Sequence, residues 1–584
     1  MRISASSEQT RVPPDDGASA VALLEELFGN AEAEDNPTGI QSVVAADERR
    51  EMLAEGERLL DDYGLSAHFV PQEFGGRLTG LQGLIHVMRA LYRRDPALGL
   101  GYGTSSLLAA VNVWTSGRTD QRSELAKLLL DGSKVACAYH ELAHGNDLGR
   151  AEVTATSVPN GLRLNGSKEV IANLGRADAM VLFARTAQGS GGRSHSQLFL
   201  KKDQLPATQA RQLPRFHTAG MRGVQLGGIE FADCLVPSET VVGAPGHGLE
   251  TALRSFQTTR IALPGMTIGI LDTALRTAVR CTSDRRLYGR TAADLPLSRT
   301  VLAEAFADLL LADTLTTVSA RAMHTAPGQA GNYAAATKAF VPKTLMAALH
   351  KLSGLLGSQF YLRTGPYALF QKLLRDGLPS GFGHASRASC LTALLPQIPV
   401  TARRTWGNDK APSLDGSTFR LTASLPGLSF DALRVSGAGH DPLARALPAG
   451  LAAHPPGSDG MARRIRERAE EAVGDLTEFA AECAKLTPRD LGPDAPARSF
   501  DLAERWCEIL AASAVLNLWW HNHERRDHVA DPVWVVAALH RIDAHAGRRV
   551  GPLPPELVEP LYRELLRREA AGLTFDLSCQ ATGC

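Results

Sequence analysis

The chain has 584 residues, enough for several domains, and its 62 basic and 62 acidic side chains cancel. That balance argues against a nucleic-acid or anionic-membrane partner. At 44% hydrophobic and 21% charged residues, a packed core is expected, while no apolar run reaches membrane-spanning length and no signal-peptide pattern opens the chain. The eight Cys form no CxxC pair, so reduced structural thiols and a cytoplasmic location are the expectation.

In chain order, residues 1–16 are polar and expected to be disordered. Helical periodicity predicts helices over Ala18–Phe28, Ala45–Leu60, Leu81–Arg94, Ser105–Val113 and Asp120–Leu130, giving an N-terminal helical domain over 17–134. Pro71 to Gly76 breaks that pattern as a turn. A β-domain is expected over 135–243. Its signals are the apolar run Val135–Tyr139, alternation in Thr154–Val158 and Leu162–Leu164 around the Asn160-Gly161 turn, and strands at Met180–Ala184 and Leu198–Lys201. Long helices return at Leu249–Ala278, Val301–Ala322 and Val341–Leu356, which predicts a helical bundle over 244–404. Residues 405–460 are rich in Gly, Pro, Ser and Asp and are expected to be a linker or partly ordered crossover. Helices at Ala462–Ala484, Leu502–Trp520, Pro532–Ala546 and Glu556–Arg568 make a second C-terminal helical domain over 461–584. His521, His523 and His528 invite a metal reading, but a solvated helix end is the expected one.

His140-Glu141-Leu142-Ala143-His144 is a literal H-E-x-x-H. On a helix that spacing places both imidazoles on one face for zinc, with Glu as general base, and implies a hydrolase. Gly145-Asn146-Asp147 follows at once and favours a turn. The longer zincin pattern also fails, since Asp147 and Arg150 stand where Gly and a third His would be.

The same stretch resembles the β-domain of the acyl-CoA dehydrogenase and acyl-CoA oxidase superfamily. His140 to Gly145 stands for its Thr-Glu-Leu-Gly-His-Gly loop, Glu152 to Ala155 for "ETTA", and Asn165 to Asn173 for "NG-K-WIT-N". His140, Val170 and Ala172 replace the usual Thr, Trp and Ser/Thr. Gly220-Met221-Arg222-Gly223, Thr259-Arg260, Asp284 to Gly289 and Leu373-Leu-Arg375-Asp376 continue the resemblance. It implies a mainly α fold with a central β-domain: helical domain, middle sheet, four-helix bundle and, as in the oxidases, an extra helical domain. It implies FAD, held by Tyr139, His140, Leu142, Gly145, Asn146, Ile171, Ala172 and Asn173 beside the ring. Arg285, with Arg286 as rival, would reach a neighbouring subunit's FAD pyrophosphate, and Gly357 would stand at the adenosine half. Thr259 and Arg260 would face substrate, and no metal is implied.

The family's α-proton base is a Glu in one of two places, just before the Arg or shortly after "LRD". Those places hold Thr259 and Gly383 or His384, so the usual carboxylate is lacking and His384 is the candidate substitute. The resemblance therefore implies a flavin-dependent oxidoreductase on an acyl-type small molecule, free, on coenzyme A or on a carrier protein, but not a standard acyl-CoA desaturase. Oxygen as co-substrate and a homodimer or homotetramer are further expectations. A decarboxylating desaturase or monooxygenase of the epoxyketone-synthase type from natural-product pathways, a zinc hydrolase and a non-catalytic scaffold are the alternatives.

Overall fold

The computed structural model describes residues 11–12, 17–189, 191–408, 410–454 and 460–583. The longer helices before the sheet are α1 (Ala18–Phe28), α2 (Ile40–Arg49), α3 (Ala54–Tyr63), α4 (Leu81–Arg94), α5 (Ser105–Ser116) and α6 (Thr119–Leu130). The single helix expected over Ala45–Leu60 is two. Arg50 turns left-handed at φ 59°, and its N–H closes the end of α2. The link that follows receives the 220–224 turn, where a side chain on Gly223 would run into the Glu51 carbonyl. A π-helical turn, Gly99–Thr104, leads into α5 and widens the backbone next to the site described below.

Strands β1 (Val135–Ala138), β2 (Thr154–Val158), β3 (Gly161–Ala172), β4 (Ala179–Arg185), β5 (His195–Lys201), β6 (Ala210–Leu213), β7 (Leu226–Val236) and β8 (Val241–Val242) form one sheet. Its order is β6-β7-β3-β2-β4-β5-β8, with β1 parallel to β4. The Asn160-Gly161 turn closes the β2–β3 hairpin, pairing Val158 with Gly161. β3 does not stop at Leu164, where the alternation read from the sequence ends, but continues through Asn165-Gly166. The strand passes through it as a bulge, with Gly166 at φ 110° and Asp233 opposite at φ 50°.

The bundle is α7 (Gly248–Asp284), α8 (Pro296–Thr325), α9 (Ala330–Leu356), α10 (Gly365–Gly377) and α11 (Arg387–Leu394). Their buried faces are mainly apolar but carry buried polar and charged side chains such as Asp272, Arg276, Asp308 and Asp313. The 405–460 segment, expected as a linker or partly ordered crossover, is ordered over much of its length. It holds α12 (Pro442–Ala453), capped by Asp441, whose buried carboxylate accepts from Trp406 Nε1 at 3.0 Å and Trp506 Nε1 at 2.8 Å. Residues 455–459 lie outside the described residues. Then come α13 (Gly460–Cys483), α14 (Ala497–Trp520), α15 (Pro532–His545) and α16 (Pro555–Ala570). Of the expected disordered N-terminus, only Arg11–Val12 is described, as a strand against Leu425–Pro426.

One apolar core runs from Val21 to Leu577 through both helical regions and one face of the sheet, and a second core lies on the sheet's other face. Of the three histidines after α14, His523 is exposed at the helix end as expected, whereas His521 and His528 are partly buried. His521 and His523 donate from Nδ1 to the Asn517 and Trp520 carbonyls at 2.8 Å each, while the His528 side chain is only 7% exposed. Among the described residues no helix is long and apolar enough to cross a membrane.

Candidate functional site

The sheet and the bundle meet around a cavity of about 690 Å³. Cys137, His140, Gly145, Asn146, Val170 and Ala172 line it from the sheet side. Leu263, Thr267, Lys338, Ser380 and His384 line it from the bundle. Glu141 is the one carboxylate on its wall among the described residues.

The loop after β1 is not a helix, so the H-E-x-x-H spacing does not bring two imidazoles together. His140 bridges to Val170 as extended backbone, and its Nδ1–H donates to the Gly145 carbonyl at 3.0 Å. Burial lowers the His140 pKa. His144 faces Glu152 instead, at 3.3 Å. Glu141, the would-be zincin base, is fully occupied: it accepts from the backbone N–H groups of Glu152 and Val153 and from Lys168 Nζ at 2.7 Å. Burial raises this carboxyl, but Lys168 and the two N–H groups outweigh it and hold it below its usual range. Lys168 in turn donates to the Tyr139 carbonyl at 3.0 Å, so this buried pair fixes the start of the loop. Leu142 and Phe382, 65% and 60% exposed, flank the cavity as apolar surface.

At the end of β3, strand alternation sends Val170 and Ala172 to the cavity and Ile171 into the second core. Asn173, left-handed at φ 59°, is buried. Its Nδ2 donates to Ser105 Oγ at 2.9 Å and to the Gly101 carbonyl, which ties Ala172 to the π-helical turn. Tyr139 likewise stands behind the wall, donating to Asn112 Oδ1 at 2.8 Å and stacking on Phe183. Of the residues expected beside the flavin, His140, Leu142, Gly145, Asn146 and Ala172 line the cavity, whereas Tyr139, Ile171 and Asn173 stand behind it.

Thr259 and His384, at the two places expected to lack the carboxylate, are bonded to each other, Oγ1 to Nε2, at 2.8 Å. His384 is left-handed at φ 64° and its ring stands edge-on to Phe256 at 4.0 Å. Burial first, then the charges of His140, Arg260 and Lys338, push this imidazole well below its usual range, so it is neutral. Thr259 is fully buried behind the wall. Arg260 follows it, with a buried Nε that has no hydrogen-bond partner.

Arg285 and Gly357 lie together but do not line this cavity. Arg285 Nη1 donates to the Leu356 carbonyl at 3.3 Å, and Gly357 sits beside the guanidinium at φ 58°. Exposed Tyr288 and Tyr361 stand on the neighbouring turns. The "LRD" carboxylate is structural: Asp376 accepts from the Met221 N–H and from Lys372, anchoring the 220–224 turn to the bundle. Lys338 was missed by the sequence reading. Its only signal was a charge inside the Ala-rich stretch Ala334-Ala-Ala-Thr-Lys-Ala-Phe340.

Residues 246–381 match the family model described as acyl-CoA dehydrogenase, C-terminal domain. The chain is similar to mitochondrial isovaleryl-CoA dehydrogenase of Oryza sativa subsp. japonica, 26% identical over 253 residues, 43% of this chain and 61% of that one. It is also similar to human mitochondrial short-chain specific acyl-CoA dehydrogenase, 28% identical over 244 residues, 41% of this chain and 58% of that one. The chain thus spans about three fifths of the length of these curated relatives. Among solved structures, an acyl-CoA dehydrogenase complexed with FAD from Bacillus anthracis aligns over 96% of both chains, with a TM-score of 0.71 at 15% identity. The prolyl acyl carrier protein oxidase AnaB covers 64% of this chain and 96% of its own, with a TM-score of 0.58 at 17% identity. Residues 246–381 thus match an acyl-CoA dehydrogenase C-terminal domain, and the chain shares the acyl-CoA dehydrogenase fold over nearly its whole length.

Proposed function

We propose that this chain is an FAD-dependent oxidoreductase acting on an acyl-type substrate by a route that does not begin with α-proton removal by a protein carboxylate. FAD, when bound, would supply a hydride acceptor. Leu142, Gly145, Val170 and Ala172 offer an apolar wall for it between the polar His140 and Asn146, and the Glu141 carboxylate there is already held by Lys168. The carrying observation is the Thr259–His384 bond at 2.8 Å, with Thr259 buried and His384 held against it on the cavity wall. His384 has the unprotonated form that a base needs, but its conjugate acid would be formed in a largely buried place beside Arg260 and Lys338. That makes it a poor proton acceptor, and it acts instead as a neutral partner that holds Thr259.

A β-keto acid would meet this constraint. Loss of CO2 leaves the bonding electron pair on the α-carbon as an enolate, so no α-proton has to be abstracted, and the oxidation would then remove a hydride from a carbon attached to that α-carbon, leaving an α,β-unsaturated ketone. The cationic surroundings of His384 favour this reading over a plain desaturation. Oxygen as the final electron acceptor and a homo-oligomer completed around Arg285, where Tyr288 and Tyr361 are exposed, belong to the same proposal.

The test is direct. The purified protein should be yellow. A saturated acyl-CoA should leave the flavin oxidised under anaerobic conditions, while a β-keto acid should release CO2 and, in air, consume oxygen. Rapid bleaching by a saturated acyl-CoA would overturn the proposal.

A further inference from the structure

Three lysines are fully buried: Lys168, Lys338 and Lys372. Two have carboxylate partners, Lys168 with Glu141 at 2.7 Å and Lys372 with Asp95 at 2.7 Å and Asp376 at 2.5 Å. Lys338 has none. Among the described residues its single hydrogen bond goes to the Ser380 carbonyl at 2.6 Å, a neutral acceptor, although an ammonium carries three donors. It is also the one of the three that lines the cavity. A buried cation left unpaired is expensive, and this chain avoids that cost at the other two positions.

We infer that Lys338 is a recognition group for a carboxylate on the acyl substrate, so that the cavity selects acyl groups bearing a free acid over neutral ones. This deepens the proposed function and rests on its reading of the cavity as the acyl site. The surroundings agree. Arg260, with its own unpartnered buried Nε, comes off α7 close by, while His384 is neutral and Cys390 is a buried thiol. No acidic group among the described residues competes for Lys338, since Glu141 is taken by Lys168. Burial, with Arg260 adding to it, brings the Lys338 amine down to about 8, so it still carries its proton at neutral pH. An anion in the cavity would raise it again.

The experiment is calorimetric titration of the purified protein at neutral pH with two thioesters of similar length, S-succinyl-N-acetylcysteamine and S-butyryl-N-acetylcysteamine. The wild type should bind the succinyl thioester at least about tenfold more tightly. Lys338→Met should bind both alike, with butyryl affinity unchanged, and Lys338→Arg should keep the preference. Equal binding of the two by the wild type, or a preference kept in Lys338→Met, would overturn the inference. So would loss of butyryl binding in both variants, which would make Lys338 a structural prop. The titration does not need flavin. A colourless protein that keeps the preference refutes the flavin proposal and upholds the carboxylate site, whereas a yellow protein without the preference refutes the site alone.

Discussion

Thr259 and His384 occupy the two places where relatives of this fold are expected to put a carboxylate, and here the two side chains satisfy each other. If a missing carboxylate is what keeps saturated acyl groups unreactive, then Thr259→Glu should restore the reaction. Anaerobic flavin bleaching by a saturated acyl-CoA should rise by about 10²-fold, the lower end of what a positioned base contributes. No gain in a well-folded, flavin-loaded variant would mean that something other than the base is absent. His384 itself makes a second forecast. Its titration lies well below the usual imidazole range, so the pH profile of turnover should show no limb from it between about pH 5.5 and 7.5. A limb in that window that vanishes in His384→Gln would show a titrating base. The change to Gln keeps a group able to bond Thr259.

At the scale of the element, the loop between β1 and β2 shows how a short motif can mislead. His140-Glu141-Leu142-Ala143-His144 has the letters of a zinc site, yet the chain there is extended at His140 and turns at once through Glu141 to Gly145. Glu141 does its work as the anchor of Lys168 and of two backbone N–H groups. Glu141→Gln should therefore cost about 3–5 kcal/mol of stability, because it leaves the Lys168 ammonium buried without a charge partner. Thermal unfolding and flavin retention would both report it. His144→Ala, which removes a partly exposed contact to Glu152 and a longer one to Glu141, should change stability by less than about 1 kcal/mol and should not alter metal content.

Across the whole molecule, buried ion groups tie distant parts of the chain together. Asp576, in the C-terminal tail, bonds Arg89 of α4 at 2.8 Å, and Arg89 also bonds Asp313 of α8 at 2.8 Å. The flanking backbone N–H groups of Phe575 and Leu577 donate to Asp272 and Asp313 at 2.9 and 2.8 Å. Asp576→Asn should lower stability by about 3–5 kcal/mol, since it unbalances this fully buried cluster. An unchanged melting temperature would show that the tail is only resting on the bundle. Acid should act through the buried histidines. His528 is pushed down to about 3 by burial and then by Arg568, so between the ordinary imidazole value and about 3 the unfolded chain binds a proton that the folded one refuses. Stability from this group is complete above pH 6.5 and falls as pH drops, by about 2 kcal/mol at pH 5. Melting curves in that range, with His528→Phe flattening the slope, would check it.

The sequence by itself determined the long helices of the bundle and the β2–β3 hairpin, and it showed which side chains stand at 259, 383 and 384. Each of these is written in local chemistry: apolar residues at helical spacing, an Asn-Gly turn, a side chain that is or is not an acid. The chain alone could not decide what depends on a partner far away in sequence. Arg50 breaks one apparent helix in two where the 220–224 turn packs against it, and Asp441 makes an ordered crossover out of a Gly- and Pro-rich stretch by pairing with two Trp. Lys338 reads as an ordinary helical lysine until folding places it on a cavity wall with no acid beside it. The cost of burying a charge depends on what stands opposite, and only the tertiary structure supplies that.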